Sequence, residues 1–442
     1  MARLPPHLAV ASGAFLLLLV VVSPCHAAAG GGPRPTRLKA VAMPVSRDDT
    51  TKQYVATFQQ RTPRVAVKAV VDLSGGATLW VDCYAGYVSS SYAGVPCGSK
   101  SCRLVKSPSC YIACLGSPAS PACLNRTCTG HAENTVTSSV GRGNVITDVL
   151  SLPTTFHPAR GPGPLAAAPE FLFTCGPTSL TEGLAGGATG MVSLSRARFA
   201  LPTQLAGTFR FSRRFALCLP SAPADAGVVV FGDARYVFDD LDHSNSLLYT
   251  PLIRTDKSTE YFISLKRIVM DDRAVPLNAT LLDVGENGMG GTKLSTVSPY
   301  TVLETSIHEA VTSAFAASMA TAGIPRVPAV APFELCYDRS KMESSAIAGE
   351  LIVPVVELYV QSEVKSKVAP WMVRGVNLMV RAGDEALCLA VVDGGVAPET
   401  SVVIGGHMME EILLVFDLEK SRLGFTPNLG AFGLSCSKFR LG

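Results

Sequence analysis

The stretch Val70-Val-Asp-Leu-Ser-Gly-Gly-Ala-Thr-Leu-Trp-Val-Asp-Cys83 decides how the chain is read. An apolar run ends on a carboxylate at Asp72, crosses a turn of Ser and Gly, and resumes as Leu79-Trp-Val, which predicts strand, turn and strand. A coarser echo lies roughly 220 residues on, where the Gly-rich approach to Leu294 leads into the polar turn Ser295-Thr-Val-Ser298. That spacing suggests two lobes of similar plan, each carrying one turn to a shared cleft. Around both, short apolar or alternating runs bounded by Gly, Pro, Ser and Asp predict strands at 54–58, 65–71, 228–231, 261–268, 351–358 and 402–404. Helical spacing is confined mainly to 301–322, and the Gly-, Pro- and Ala-rich segment 159–168 reads as a surface loop. The fold class is therefore all-β, mostly strand with a few short helices.

Length and composition fix the class and the compartment. The 442 residues suffice for a large core, and 48% of them are hydrophobic against 17% charged. The formal net charge is +3, or +2 once Arg3 is removed (37 − 35), and no Lys/Arg run is present, which argues against a nucleic-acid partner. Arg3 precedes an apolar run of 15 residues, Leu8 to Val22, followed by small residues. A run of that length reads as a secretory signal over 1–29 rather than a membrane span, which needs about 20 residues. The mature protein is expected to be secreted and extracellular. Of 13 cysteines, Cys25 falls in the signal, leaving an even twelve: Cys83, Cys97, Cys102, Cys110, Cys114, Cys123, Cys128, Cys175, Cys218, Cys336, Cys388 and Cys436. With no CxxC pair among the clustered ones, disulfides are expected and no metal. Asn125-Arg-Thr and Asn278-Ala-Thr are glycosylation acceptors.

The ordered motifs supply a resemblance. Val70–Cys83 resembles the first active-site strand of plant pepsin-like aspartic proteases, V-D-T-G-S-x-x-x-W-V-x-C. Gly190-Met-Val-Ser-Leu-Ser through Leu201-Pro-Thr-Gln-Leu205, Phe215-Ala-Leu-Cys218, Tyr249-Thr-Pro-Leu252, Val403-Ile-Gly-Gly406, Val415-Phe-Asp-Leu418 and Arg422-Leu-Gly-Phe425 follow in the order of that superfamily. Leu79-Trp-Val-Asp-Cys83, Lys293-Leu-Ser-Thr-Val-Ser-Pro-Tyr and Val403-Ile-Gly-Gly-His407 resemble, within it, the basic 7S globulins, extracellular dermal glycoproteins and TAXI-type xylanase inhibitors. The resemblance implies a bilobal pepsin-like fold, with an N-terminal lobe over 30–215 and a C-terminal lobe over 216–442. It also implies six disulfides and a scaffold that blocks microbial cell-wall-degrading glycosidases instead of cutting peptides; the pairing stays open, with Cys336–Cys388 a candidate bridge of the C-terminal lobe.

Proteolysis on this scaffold needs two carboxylates, one from each lobe, sharing a proton. Asp72 supplies the first, although Leu73-Ser-Gly follows it where Thr-Gly-Ser is usual. Aligned on the family pattern G-G-T-x-x-D-S-G-T-T, the second carboxylate position is held by Ser295 and the following glycine by Val297. A serine hydroxyl cannot share a proton with Asp72 near neutrality. Asp283, the nearest upstream aspartate, is expected in a turn. The flap tyrosine of the proteases is also missing from 135–143, and the first strand begins too early to leave room for a zymogen propeptide. Ser193, Ser195 and His407 lack a Gly-x-Ser-x-Gly elbow, and no HExxH or phosphate-cradling loop is present, so no cofactor is expected. The chain reads as non-catalytic.

Inhibiting an endoglycanase requires inserting a side chain into a cleft lined by two carboxylates, which suits a cationic or imidazole group. The candidate loops are 323–332, where prolines flank Arg326, and 393–399, which carries Glu399; His407 follows a Gly-Gly turn. Arg326 and His407 are the candidate partner-binding residues. The expected partners are secreted microbial glycoside hydrolases, met as a monomer. Two other readings stay open: a storage or signalling globulin that binds a peptide or receptor, and an atypical aspartic endopeptidase.

Overall fold

The computed structural model describes residues 38–442 apart from 74–77, 108, 111–119, 158–159, 256–257, 287, 346–349, 365, 427–428 and 431–432. The signal-segment reading and the turn residues Ser74 to Ala77 therefore lie outside the described residues. The chain is mostly strand, as its alternating runs predict. Val65–Asp72 and Tyr54–Gln60 form an antiparallel pair with Val55 opposite Val70, and Ala40–Arg47 pairs with both Tyr54–Gln60 and Gly227–Gly232.

Sequence-distant strands are joined in one sheet. Arg214–Cys218 pairs on one side with Gly227–Gly232 and on the other with Leu413–Asp417, and Leu413–Asp417 continues to Arg422–Phe425. Phe215 stacks on Phe416 with ring centroids 4.6 Å apart, and Tyr261 packs against both. All three rings are fully buried, and aromatic pairs of this kind contribute about 0.5–1.5 kcal/mol beyond the area they bury. The Phe215-Ala-Leu-Cys218 and Val415-Phe-Asp-Leu418 motifs are thus adjacent strands of one core.

Disulfides join Cys83 to Cys175, Cys97 to Cys110, Cys102 to Cys128, Cys218 to Cys436 and Cys336 to Cys388. Cys123 is also disulfide-bonded, and Cys114 lies outside the described residues. The Cys218–Cys436 bridge spans 218 residues of sequence, and loop-closure entropy makes a bridge of that span worth about 5 kcal/mol.

Four local expectations need correction, the first being the strand expected at 351–358, which begins only at Val356 and runs to Gln361. Much of the expected surface loop at 159–168 is strand: Leu165–Gly176 pairs with Ser139–Pro153 from Leu165 to Thr174, with a bulge between Ala168 and Phe171, and Gly161–Pro162 pairs with Phe156–His157. The expected helix at 301–322 begins only at Thr305 and runs to Thr321. Its first residues form the strand Thr301–Leu303, because Val302 is claimed by neighbours on both sides, Val392 and Val403. Glu304 then caps the helix, its carboxylate accepting the Ser306 and Ile307 N–H groups. The run at 261–268 divides into Phe262–Ile263 and Leu265–Met270, which serve different sheets.

Candidate functional site

Two three-stranded motifs of the same plan build the site. In the first, Val65–Asp72 runs parallel to Gly190–Ser193, with Val71 opposite Val192, and Gly190–Ser193 pairs antiparallel with Trp80–Asp82. In the second, Thr292–Leu294 runs parallel to Val402–Ile404, with Leu294 opposite Ile404, and Val402–Ile404 pairs antiparallel with Thr301–Leu303. Strands flanked on both faces demand near-continuous apolar sequence, which is why Val70-Val71 and Val402-Val-Ile404 carry so little polarity. Each parallel pair ends on one further backbone bond, of opposite polarity in the two motifs: the Leu194 N–H donates to the Asp72 carbonyl at 2.8 Å, and the Ser295 N–H to the Ile404 carbonyl at 3.0 Å.

The turns that follow these strands meet. Thr296 Oγ1 accepts the Leu73 N–H at 3.1 Å and donates to the Val71 carbonyl at 2.7 Å, so one hydroxyl of the second turn holds the backbone of the first. The reciprocal position in the first turn is Leu73, fully buried, with no hydroxyl to return the bond. Ser295 Oγ serves its own turn, accepting the Val297 and Ser298 N–H groups at 3.3 and 3.2 Å.

Asp72 is 1% exposed, and its Oδ2 accepts the Thr135 hydroxyl at 3.0 Å. Thr135 sits at the bend between the paired strands Thr129–Asn134 and Ser139–Pro153, the hairpin whose tip lacks the protease tyrosine. Glu133 comes from the same hairpin, and Trp80 Nε1 donates to its carbonyl at 2.7 Å. Burial pushes the Glu133 carboxyl up, and the charges of Asp72 and then Glu260 push it further. Glu260 takes Lys293 Nζ at 2.8 Å and the Ser258 hydroxyl at 2.9 Å. The centre is thus acidic: Asp72 and Glu260 lie within electrostatic reach of Glu133, and Lys293 is paired to Glu260. Sequence reading missed Glu133 and Glu260, since neither belongs to a motif and only strand register places them. Asp283 is exposed and pairs with Lys266 at 3.4 Å.

The predicted partner-binding residues separate. Arg326 is exposed in the short strand Arg326–Val327, opposite Tyr337 of Cys336–Asp338. Cys336 in turn lies opposite Cys388 and is bonded to it, so the hairpin is stapled to the strand Ala386–Leu389 at its base. The expected loop is therefore part strand, with its free tip beyond Val327. In the second loop, the Asp393 carboxylate accepts the Gly395 N–H at 2.9 Å and the Thr305 hydroxyl at 2.8 Å, and Val396 stands out 83% exposed.

His407 requires correction. It is buried rather than aimed at a partner, with Nε2 at 3.0 Å from the Met379 carbonyl and Nδ1 at 2.9 Å from Glu410 Oε2. Glu410 also accepts the Tyr54 hydroxyl at 2.8 Å and lies 3.0 Å from Arg47 Nε. The Gly-Gly turn that seemed to present His407 instead fits the backbone closely: a Cβ at Gly405 would meet the Tyr300 carbonyl oxygen at 2.2 Å. Asn125 and Asn278 are both exposed. Among the described residues no cluster of three or more His, Cys, Asp or Glu side chains could hold a metal ion, and no helix is long and apolar enough to cross a membrane.

The duplicated motif and its paired turns are matched by two family descriptions, Xylanase inhibitor N-terminal over residues 54–233 and Xylanase inhibitor C-terminal over residues 260–427. The chain belongs to this xylanase-inhibitor family. Among the family's relatives, it is 41% identical to a Nicotiana benthamiana protein named Probable aspartic proteinase GIP2, across 91% of this chain and 92% of that protein. It is 34% identical to basic 7S globulin of Glycine max, across 91% and 92%. The crystal structure of edgp superposes with a TM-score of 0.84 at 42% identity, covering 91% of this chain and 98% of that one. The crystal structure of soybean basic 7S globulin superposes with a TM-score of 0.77 at 32% identity, covering 90% and 98%. The pepsin-like, disulfide-rich fold implied by the ordered motifs is the fold of this family.

Proposed function

We propose that this family member is a secreted, non-catalytic protein that inhibits microbial endo-acting glycoside hydrolases, using the Arg326 hairpin as its probe. The observation that carries the reading is the stapling of an exposed arginine: Arg326 lies one residue pair from the Cys336–Cys388 bridge, on a hairpin whose return strand is paired along its length. A rigid hairpin loses little entropy on docking. A guanidinium forms short, charge-assisted bonds with the two carboxylates of a glycosidase cleft.

The side chains of the two turns support the non-catalytic part of this reading. Ser295 stands where a second carboxylate would complete a proton-sharing pair with Asp72, and its Oγ accepts two N–H groups of its own turn. Glu133 does not restore the pair: it reaches the centre from the overlying hairpin, not from the turn facing Asp72.

The test is the residual activity of a panel of microbial xylanases and endoglucanases titrated with the oxidised protein. Saturable loss near stoichiometric concentration, weakened at least tenfold by Arg326→Ala, is the expected result. A panel left fully active would move the function to a storage or receptor-binding globulin.

A further inference from the structure

The two loops singled out by sequence enclose something that neither predicts. A groove of about 590 Å³ lies between them, lined by Pro332 and Glu334 from the hairpin side, Val392 and Asp393 from the other loop, and Pro299 and Tyr300 among its remaining walls. Its body is apolar and aromatic, and no basic residue lines it. Glu334 and Asp393 are both exposed, and they belong to different chain segments on either side. Asp393 is held ionised by the Gly395 N–H and then the Thr305 hydroxyl, with the nearby His308 adding to the effect.

His308 is the second, independent observation. It lies on the helix Thr305–Thr321, is 3% exposed, and makes no hydrogen bond through its ring among the described residues. Its Nδ1 stands 3.9 Å from Glu334 Oε2, too long for a hydrogen bond, and Asp393 lies within its electrostatic reach. The imidazole thus stands behind the groove's wall, outside its lining, and leaves the exposed side of Glu334 open to a partner. Tyr300 is fixed in the groove by edge-to-face contact with Phe333 of the hairpin, centroids 4.7 Å apart, and with His407 behind it at 6.3 Å.

We propose that this groove takes a lysine or arginine side chain of a partner protein. Its aliphatic stem lies along Pro299, Tyr300, Pro332 and Val392, and its cationic head sits between Glu334 and Asp393. Charge complementarity selects this occupant: the head brings a full positive charge to two exposed carboxylates and meets the aromatic ring, whereas a neutral side chain brings none and an acidic one adds repulsion. The surface extends beyond the inhibitory hairpin, since it would orient a partner whether or not Arg326 enters a glycosidase cleft.

The test uses the full oxidised chain and no glycosidase, so its outcome is separate from that of the inhibition assay. The probe is an acetylated, amidated Gly-Arg-Gly peptide, compared with the same peptide carrying neutral citrulline, with amide chemical shifts followed by NMR. Saturable shifts confined to residues 300–303 and 391–395, at least tenfold weaker with citrulline and lost in Glu334→Gln, are the expected result. Glu334 is exposed, so that variant keeps the fold. Equal response to both peptides, an unchanged response in Glu334→Gln, or no saturable shift at millimolar peptide would overturn the proposal.

Discussion

The turns after Leu294 and after Val71 occupy equivalent places in two copies of one strand plan, yet they hold opposite halves of a chemistry. The first turn keeps a carboxylate, Asp72, and has lost the hydroxyl beside it, with Leu73 in its place. The second keeps hydroxyls, Ser295 and Thr296, and has no carboxylate. Leu73 has no hydroxyl with which to mirror the bond that Thr296 makes. Thr296 still reaches across to both Leu73 and Val71, and nothing at position 73 reaches back. The difference teaches that the backbone contact joining the turns, carried by Thr296, is separable from the side chains the turns present, Asp72 in one and Ser295 in the other.

Breaking the surviving half gives the largest expected effect. Thr296→Val removes a fully buried hydroxyl that satisfies one backbone donor and one backbone acceptor. Leaving both unpaired costs about 2–5 kcal/mol, read as a lower midpoint in denaturant unfolding with an unchanged slope. A midpoint shift no larger than that of a surface Thr→Val control would show that the crossing bond is dispensable.

A smaller effect is expected on the other side. Thr135→Val removes the hydroxyl donated to Asp72 and costs about 0.5–1.5 kcal/mol in the same measurement. If it matched Thr296→Val, the two turns would be supported equally and the comparison would fail.

The smallest effect sharpens the electrostatics. Burial, Asp72 and Glu260 raise the Glu133 carboxyl in the folded state, so its contribution to stability is present at low pH and is lost as pH rises above the ordinary carboxylate value of about 4.3. Glu133→Gln removes that loss. The variant should therefore melt slightly higher than the parent at pH 7, by about 1–2 °C, and no higher at pH 3.5. A gain that persists undiminished at pH 3.5 would assign the effect to packing rather than charge.

How far the sequence could be read follows the same physics. Asp72, Ser295 and the strands leading to them were legible because apolar runs ending in polar turns recur in a fixed order, and order survives substitution. The segment at 159–168 was not, because Gly, Pro and Ala signal a loop locally, while Leu165–Ala168 is made strand by the long partner Ser139–Pro153. The start of the helix at Thr305 was hidden because Val302 suits either structure until Val392 and Val403 take it. Glu133, Glu260 and the pairing of Glu334 with Asp393 across a groove depend on register between distant segments, which leaves no trace in spacing. His407 was misread because a Gly-Gly turn suggests display, whereas here it lets the backbone close over a buried ion cluster with Glu410, Arg47 and Tyr54.

The central claim is that one carboxylate turn facing one hydroxyl turn does not hydrolyse peptides. Its most direct test is incubation of the purified protein with a diverse peptide library between pH 3 and 7, read by mass spectrometry beside an Asp72→Asn control. The account predicts no cleavage beyond that of the control at any pH. Cleavage by the parent that disappears in Asp72→Asn would contradict it and establish a working aspartic endopeptidase.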